Sequence, residues 1–223
     1  MSQKLIDVAI DIETIPNQNL TDLEYEIIYR KVLKDDYEKI KNDTSKYFGG
    51  HIESKEIIKY ASLNQEFNQI VCICVNINDN IFSFSGKNER NILLDFWETF
   101  NEFKSFEIKL ITFNGKRFDI PIILFRSLKN LIQPSIKFSY KRYDTVYHID
   151  ILEILTNFYQ NQNFLTMKEY AKILNIENTD NDNGCDVFKL FNSNNIKDIV
   201  NHCISDIDTT KKLYEKIKPI YFL

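Results

Sequence analysis

The segment that opens the chain constrains its fold more than any other. Lys4 to Ile12 reads as a buried strand ending at Asp11-Ile12-Glu13, with Pro16 closing it. Residues i and i+2 of a strand point to the same face, so Asp11 and Glu13 share one. Two carboxylates side by side repel, raise each other's pKa and dehydrate poorly. A divalent cation between them removes that penalty; the plainer alternative is a strand emerging into solvent with two exposed acids. Acids make up 32 of 223 residues, so the D-x-E pattern alone says little. Asp22-Leu23-Glu24 and Asp36-Tyr37-Glu38 match it too, without an apolar strand before them.

Further along, periodicity alternates between strand and helix. Leu20 to Lys41 has helical spacing, the Gly49-Gly50 pair breaks it, and Ser54 to Tyr60 makes another short helix. This stretch of about 20–60 reads as a helical insertion, because it lacks enough apolar residues for a core of its own. Gln69 to Asn76 and Asn80 to Phe84 read as a hairpin around Ile77-Asn78-Asp79. Glu89 to Phe103 is helical, with Ile92, Leu93, Phe96, Trp97 and Phe100 on one stripe. Lys109 to Phe113 is a strand, and Phe118 to Lys129 a helix. Leu165 to Leu174 and Asp186 to Phe191 are helical, with Asn175 to Gly184 a polar loop. Asn195 to Lys218 is a long helix that Pro219 ends. Strands first and helices later, around a mixed sheet, is an α/β architecture, and 223 residues suit a single domain, 1–223.

Composition excludes several classes. With 43% hydrophobic and 13% aromatic residues the chain folds rather than staying disordered. No secretory signal is expected, because the apolar stretch Leu5 to Ile10 is short and Asp7 interrupts it, and no stretch of the sequence approaches the roughly 18 apolar residues of a membrane span. Cys72, Cys74, Cys185 and Cys203 make no C-x-x-C pair. They read as buried thiols rather than a zinc site, because only Cys72 and Cys74 sit close together, and a reducing cytoplasm suits them. The net charge of −4 disfavours nucleic acid as a partner, yet its distribution is uneven. From Gly115 to Thr145 stand Lys116, Arg117, Arg126, Lys129, Lys137, Lys141 and Arg142, with Phe118, Phe125, Phe138, Tyr140 and Tyr143 among them. Cations for phosphates and flat rings for bases suit a single strand, and an ordinary solvated surface is the alternative.

Two further acids stand out. Asp119 follows the Ile111-to-Phe113 strand and the Asn114-Gly115 turn; by itself it is equally a helix N-terminal acid stabilised by the macrodipole. Asp206 lies within the C-terminal helix four residues after His202, on the same helical face, where a plain surface pair is the alternative. Hard cations such as Mg²⁺ and Mn²⁺ prefer carboxylate oxygens, and two of them can bind the attacking water and leaving oxygen of a phosphodiester together.

These motifs, in this order, resemble those of a known superfamily. Asp11-Ile12-Glu13-Thr14 resembles the first motif of the DEDD 3′–5′ exonucleases, which have a ribonuclease-H-like fold, a mixed central sheet flanked by helices. Asn114 to Asp119 resembles the second, and His202-Cys203-Ile204-Ser205-Asp206 occupies the third. Leu110 to Pro121, His148-Ile149-Asp150 and Gly184 to Phe191 are similar to predicted exonucleases related to the proofreading domain of family B DNA polymerases. The resemblance implies a metal-dependent 3′–5′ exonuclease acting on the 3′ end of single-stranded nucleic acid, DNA favoured. Two divalent ions, Mg²⁺ or Mn²⁺, would be held by Asp11, Glu13, Asp119 and Asp206. Asn114 and Phe118 would hold the terminal nucleotide, and Thr14 and Ile15 would contact its base or sugar. Asp150 is expected to be structural.

One position departs from the pattern. The group usually has Tyr four residues before the last Asp, and here that residue is His202; the histidine branch uses the position before it, here Asn201. An imidazole is a competent general base near pH 7 where a tyrosine of pKa near 10 is not. His202 is therefore expected to contact the nucleophilic water. The reading from another class is a catalytically weak nucleic-acid- or partner-binding module on the same fold, against which four retained, mutually repelling acids argue.

Overall fold

In the computed structural model, which describes residues 4–33, 55–139, 141, 143–160, 164–176 and 186–222, the opening strand β1 (Leu5–Pro16) occupies the centre of a five-stranded sheet, order β3-β2-β1-β4-β5. A strand with a neighbour on each edge and helices on its faces must be apolar on both sides, which its buried Ile6, Val8, Ala9 and Ile10 satisfy. Pro16, which cannot donate to a ladder, is its last residue. Strands β2 (Asn68–Ile77) and β3 (Asn80–Ser85) pair antiparallel. Their connection is two residues, not three, because Ile77 pairs with Asn80. Asn78 and Asp79 both have positive φ, 48° and 70°, the backbone a twisted two-residue hairpin demands and these residue types tolerate.

β4 (Glu107–Thr112) lies parallel to β1, with Ala9 opposite Ile111, and β5 (His148–Asp150) lies parallel to β4, with Thr112 opposite Asp150. The carboxyl ends of β1, β4 and β5 therefore emerge on the same edge. That edge is where an α/β sheet assembles its sites.

The chain divides into two compact units, residues 1–13 with 70–223 and residues 14–69. In the first, even-numbered residues of β1 (Ile6, Val8, Ile10, Ile12) join a core with Ile73, Val75 and Ile77 of β2. Helix α3 (Glu89–Thr99) adds Ile92, Leu93, Phe96 and Trp97 to it, and α4 (Asp119–Lys129) adds Ile120, Ile122 and Ile123. The odd-numbered residues of β1, Asp11 and Glu13 among them, face the other way. That face is met by the 26-residue helix α8 (Ile196–Tyr221), which buries Ile199, Cys203, Ile207, Leu213 and Ile217 along one stripe. Its lower half joins Ile111, Ile149 and Ile151 in a second core.

The second unit holds α1 (Asp22–Leu33) and α2 (Lys55–Leu63). Contrary to the sequence reading it has a small core of its own: Ile28, Ile57, Ala61 and Phe67, with Leu20, Ile27, Tyr29, Val32 and Tyr60 packed against them. The Gly49-Gly50 break and most of the Asn175–Gly184 loop lie outside the described residues. The remaining described helices are α5 (Ile151–Leu155), α6 (Met167–Ile173) and α7 (Val187–Asn192). Pro219 does not end α8, which runs two residues further. In the last turn its ring forfeits one backbone bond, and Phe222 N–H closes the turn onto Lys218 O at 3.0 Å.

Candidate active site

The carboxylates of β1, α4 and α8 converge. Asp11 and Glu13 extend from the odd face of β1. Asp119 opens α4, and its Oδ1 accepts the main-chain N–H of Ile12 at 3.1 Å, between the two acids of β1. Asp206 reaches the same place from α8. The four act on one another electrostatically. Burial first, then Asp119, Glu13 and Asp206, pushes the Asp11 carboxyl well above the usual carboxylate range. Asp119, 4% exposed, is pushed up to about 7 by burial, with Asp150 and Asp206 adding to it.

His202 lies in the same cluster. Its Nε2 is 3.7 Å from Glu13 Oε1 and 3.8 Å from Asp206 Oδ2, all three side chains being at most 18% exposed. One ligand atom from each of Glu13, His202 and Asp206 falls within 4.8 Å of the others, as do atoms of Asp11, Glu13 and Cys203. Oxygen-rich, anionic and partly dehydrated, this donor set fits hard divalent cations. Repulsion among the acids adds to the burial that raises Asp11 and Asp119.

The loop before Asp119 is built around Asp150. Its Oδ1 accepts the N–H of Asn114 at 2.9 Å and its Oδ2 that of Lys116 at 2.9 Å. Oδ1 also caps α5, accepting from Leu152 at 3.1 Å and Glu153 at 3.3 Å. Asn114 has φ 66°, and a Cβ on the next residue, Gly115, would sit 2.4 Å from Thr112 Cβ, so only glycine fits there. Asn114 Oδ1 accepts from Tyr159 OH at 3.5 Å, and Phe118, half-buried against the first core, precedes α4. The structural role expected of Asp150 takes this form, and its local signal is an Asp directly before the apolar run Ile151–Leu155.

Thr14 and Ile15, the next residues of β1, belong to the second unit. The Thr14 hydroxyl donates to Ser62 O at 2.7 Å, and Ile15 is fully buried.

The basic stretch is less of a surface than its composition suggested. Lys116 is held by Glu153 and the carbonyl of Asp144, its side chain 6% exposed. Arg126 is an interior cation, bonded to Glu89 through Nε at 2.8 Å and Nη2 at 2.6 Å. Phe138 is packed among Phe96, Trp97 and Phe100. Two cations and one ring are thus fold-forming, because long chains with a charged tip can be buried when a carboxylate meets the tip. Arg117, Lys129, Lys137 and Lys141 are exposed, with the Arg117 guanidinium 4.7 Å over the Tyr159 ring. Arg142 and Tyr140 lie outside the described residues.

Comparisons with known proteins bear on the family and the fold. Residues 60–220 match the family described as a predicted 3′-5′ exonuclease related to the exonuclease domain of PolB. The match includes Asp119, His202 and Asp206 and begins after Asp11 and Glu13. Among solved structures, the family B DNA polymerase of the hyperthermophilic archaeon Pyrobaculum calidifontis superposes with a TM-score of 0.61 at 15% identity. That likeness covers 96% of this chain and 25% of the polymerase, so the chain spans about a quarter of that protein's length. It concerns the fold, which is α/β and ribonuclease-H-like. No curated protein matches by sequence. Among the described residues no helix is long and apolar enough to cross a membrane.

Proposed function

The chain belongs to the family of predicted 3′-5′ exonucleases related to the exonuclease domain of PolB, and from that footing we propose that it removes nucleotides from the 3′ end of single-stranded nucleic acid, DNA in preference to RNA. The observation that carries the reading is the meeting of Asp11, Glu13, Asp119 and Asp206 from three elements, with burial and mutual repulsion raising Asp11 and Asp119. Isolated acids of a binding module have no reason to be held in that state. We read residues 1–223 as one exonuclease domain with the second unit inserted between β1 and β2.

Two divalent ions, Mg²⁺ or Mn²⁺, would be held by these four carboxylates, and they supply the Lewis-acid chemistry of phosphodiester hydrolysis when bound. The protein's own groups do the rest. Ile12 N–H fixes the Asp119 carboxylate, and Asp150 fixes the loop that presents Asn114 and Phe118 to the terminal nucleotide. His202 Nε2, flanked by Glu13 and Asp206, holds the attacking water in line and takes its proton. Arg117 and the exposed lysines of the same segment are placed to meet phosphates. Buried unpaired thiols favour a reducing compartment, the cytoplasm.

Labelled single-stranded, duplex, 3′-blocked and circular DNA and RNA, incubated with Mg²⁺ or Mn²⁺, test the proposal. A ladder shrinking from the 3′ end, absent with Asp206→Asn, is the expected result. Cleavage of a circle would move the reading to internal cutting. Binding without cleavage, unchanged by Asp11→Ala in metal-free buffer, would move it to a binding module. His202 has its own test: a full rate in His202→Ala, beside a dead Asp206→Ala, removes it from the mechanism. Tolerance of His202→Tyr would limit it to positioning water.

A further inference from the structure

Three thiols meet on the face of the sheet that carries Asp11, and phosphodiester hydrolysis has no use for them. Cys72 and Cys74 occupy alternate positions of β2, facing away from the core that holds Ile73 and Val75. Cys203 comes from the buried stripe of α8. All three are fully buried, and none is in a disulfide. Their sulfurs lie within 4.8 Å of one another, those of Cys72 and Cys74 at 3.7 Å. Around a tetrahedral ion with metal–sulfur bonds of about 2.3 Å, neighbouring sulfurs stand about 3.8 Å apart. The sequence offered only two neighbouring ligands; the packing of α8 on β2 supplies the third. A fourth, oxygen ligand is also at hand. Cys203 Sγ contacts the main-chain oxygen of Asp11 at 3.4 Å, and carboxylate oxygens of Asp11 and Glu13 lie within 4.8 Å of the same sulfur.

We propose that Cys72, Cys74 and Cys203 form a binding site for a soft, thiophilic divalent cation, Zn²⁺ or its congener Cd²⁺, with the neutral main-chain oxygen of Asp11 as the fourth ligand. Ligand chemistry keeps it distinct from the carboxylate site: sulfur selects soft ions, and oxygen selects Mg²⁺ and Mn²⁺. On binding, three S–H bonds give way to three metal–sulfur bonds. Three protons leave to solvent, and the complex carries one net negative charge. The ion ties α8, which presents His202 and Asp206, to the central strands of the sheet. This inference stands apart from the exonuclease reading, because its readouts involve no nucleic acid.

The test uses the whole reduced, metal-stripped chain in excess Mg²⁺, titrated with Cd²⁺ while the ultraviolet thiolate-to-cadmium charge-transfer band is followed. The band should saturate at one Cd²⁺ per chain, be displaced by Zn²⁺, and accompany an upward shift of the melting temperature. Cys72→Ala/Cys74→Ala should abolish it, and Cys185→Ser should leave it intact. If the double variant loses its native circular dichroism, the single variants replace it, each removing one sulfur's share of the band. No band at one equivalent, or a band surviving the loss of both β2 thiols, overturns the proposal.

Discussion

Neutralising one buried acid should stabilise the metal-free protein above neutral pH while abolishing its response to divalent ions. Asp119 is 4% exposed, and burial, reinforced by Asp150 and Asp206, lifts its carboxyl from 3.8 to about 7. A carboxyl whose folded pKa is raised holds its proton more tightly folded than unfolded. Its contribution therefore favours folding fully below its unfolded pKa, and is lost as the pH rises through about 7. A rise of about three units corresponds to roughly 4 kcal/mol, an upper bound because Asp11 titrates in the same field. Asp119→Asn keeps an oxygen to accept the Ile12 N–H, 3.1 Å away in the wild type, but removes the titration. Urea unfolding with a chelator at about pH 5 and about pH 8 should show the wild type losing more stability than Asp119→Asn, by up to roughly 2.5 kcal/mol, the part of that total lost between pH 5 and about 7. At the higher pH the variant should be the more stable protein. Added Mn²⁺ should restore the wild type and leave the variant unmoved. Equal pH slopes for the two proteins would refute the argument that burial and repulsion govern this acid.

With Asp206 in the proposed metal-holding role, Asp206→Asn should lower 3′-end hydrolysis on the order of 10²–10⁴-fold, measured by single-turnover kinetics, with the fold intact by circular dichroism. Asp150→Ala strips four main-chain N–H groups of their acceptor; a loss of about 3 kcal/mol in denaturant unfolding is expected, together with weaker nuclease activity. Arg126→Met leaves Glu89, 8% exposed, without its cation; unfolding should become easier by about 3–5 kcal/mol, and Glu89→Gln in the same chain should recover part of it.

Elements with strong local periodicity were legible in the sequence, and what depends on partners was not. The apolar run of β1, the stripe of α3 and the length of α8 are written in consecutive residues. β5, three residues long, has no period to show and exists because β4 offers it a parallel edge. The same limit explains the basic stretch. Lys116 and Arg126 look like surface cations until Glu153 and Glu89, in other elements, close on them. It explains the cysteines too: β2 displays two, but only the packing of α8 brings Cys203 to them. The small core of the second unit likewise depends on partners beyond residues 20–60: Ala61 and Phe67 complete what Ile28 and Ile57 begin.

His202 shows what a helical register can decide. Two neighbouring positions competed for the histidine role, Asn201 by the spacing of one branch and His202 by residue type. One residue on a helix turns a side chain by about 100°. On α8 that rotation leaves Asn201 exposed and carries His202 inward, to Glu13 as well as Asp206. A plain surface pair at i,i+4 would account for Asp206 alone. It does not account for Glu13, which arrives on β1 from the far end of the chain beside Asp11. The imidazole is therefore held by tertiary structure among the carboxylates. His202 reaches these acids by its direction along the helix face, not by the count of intervening residues.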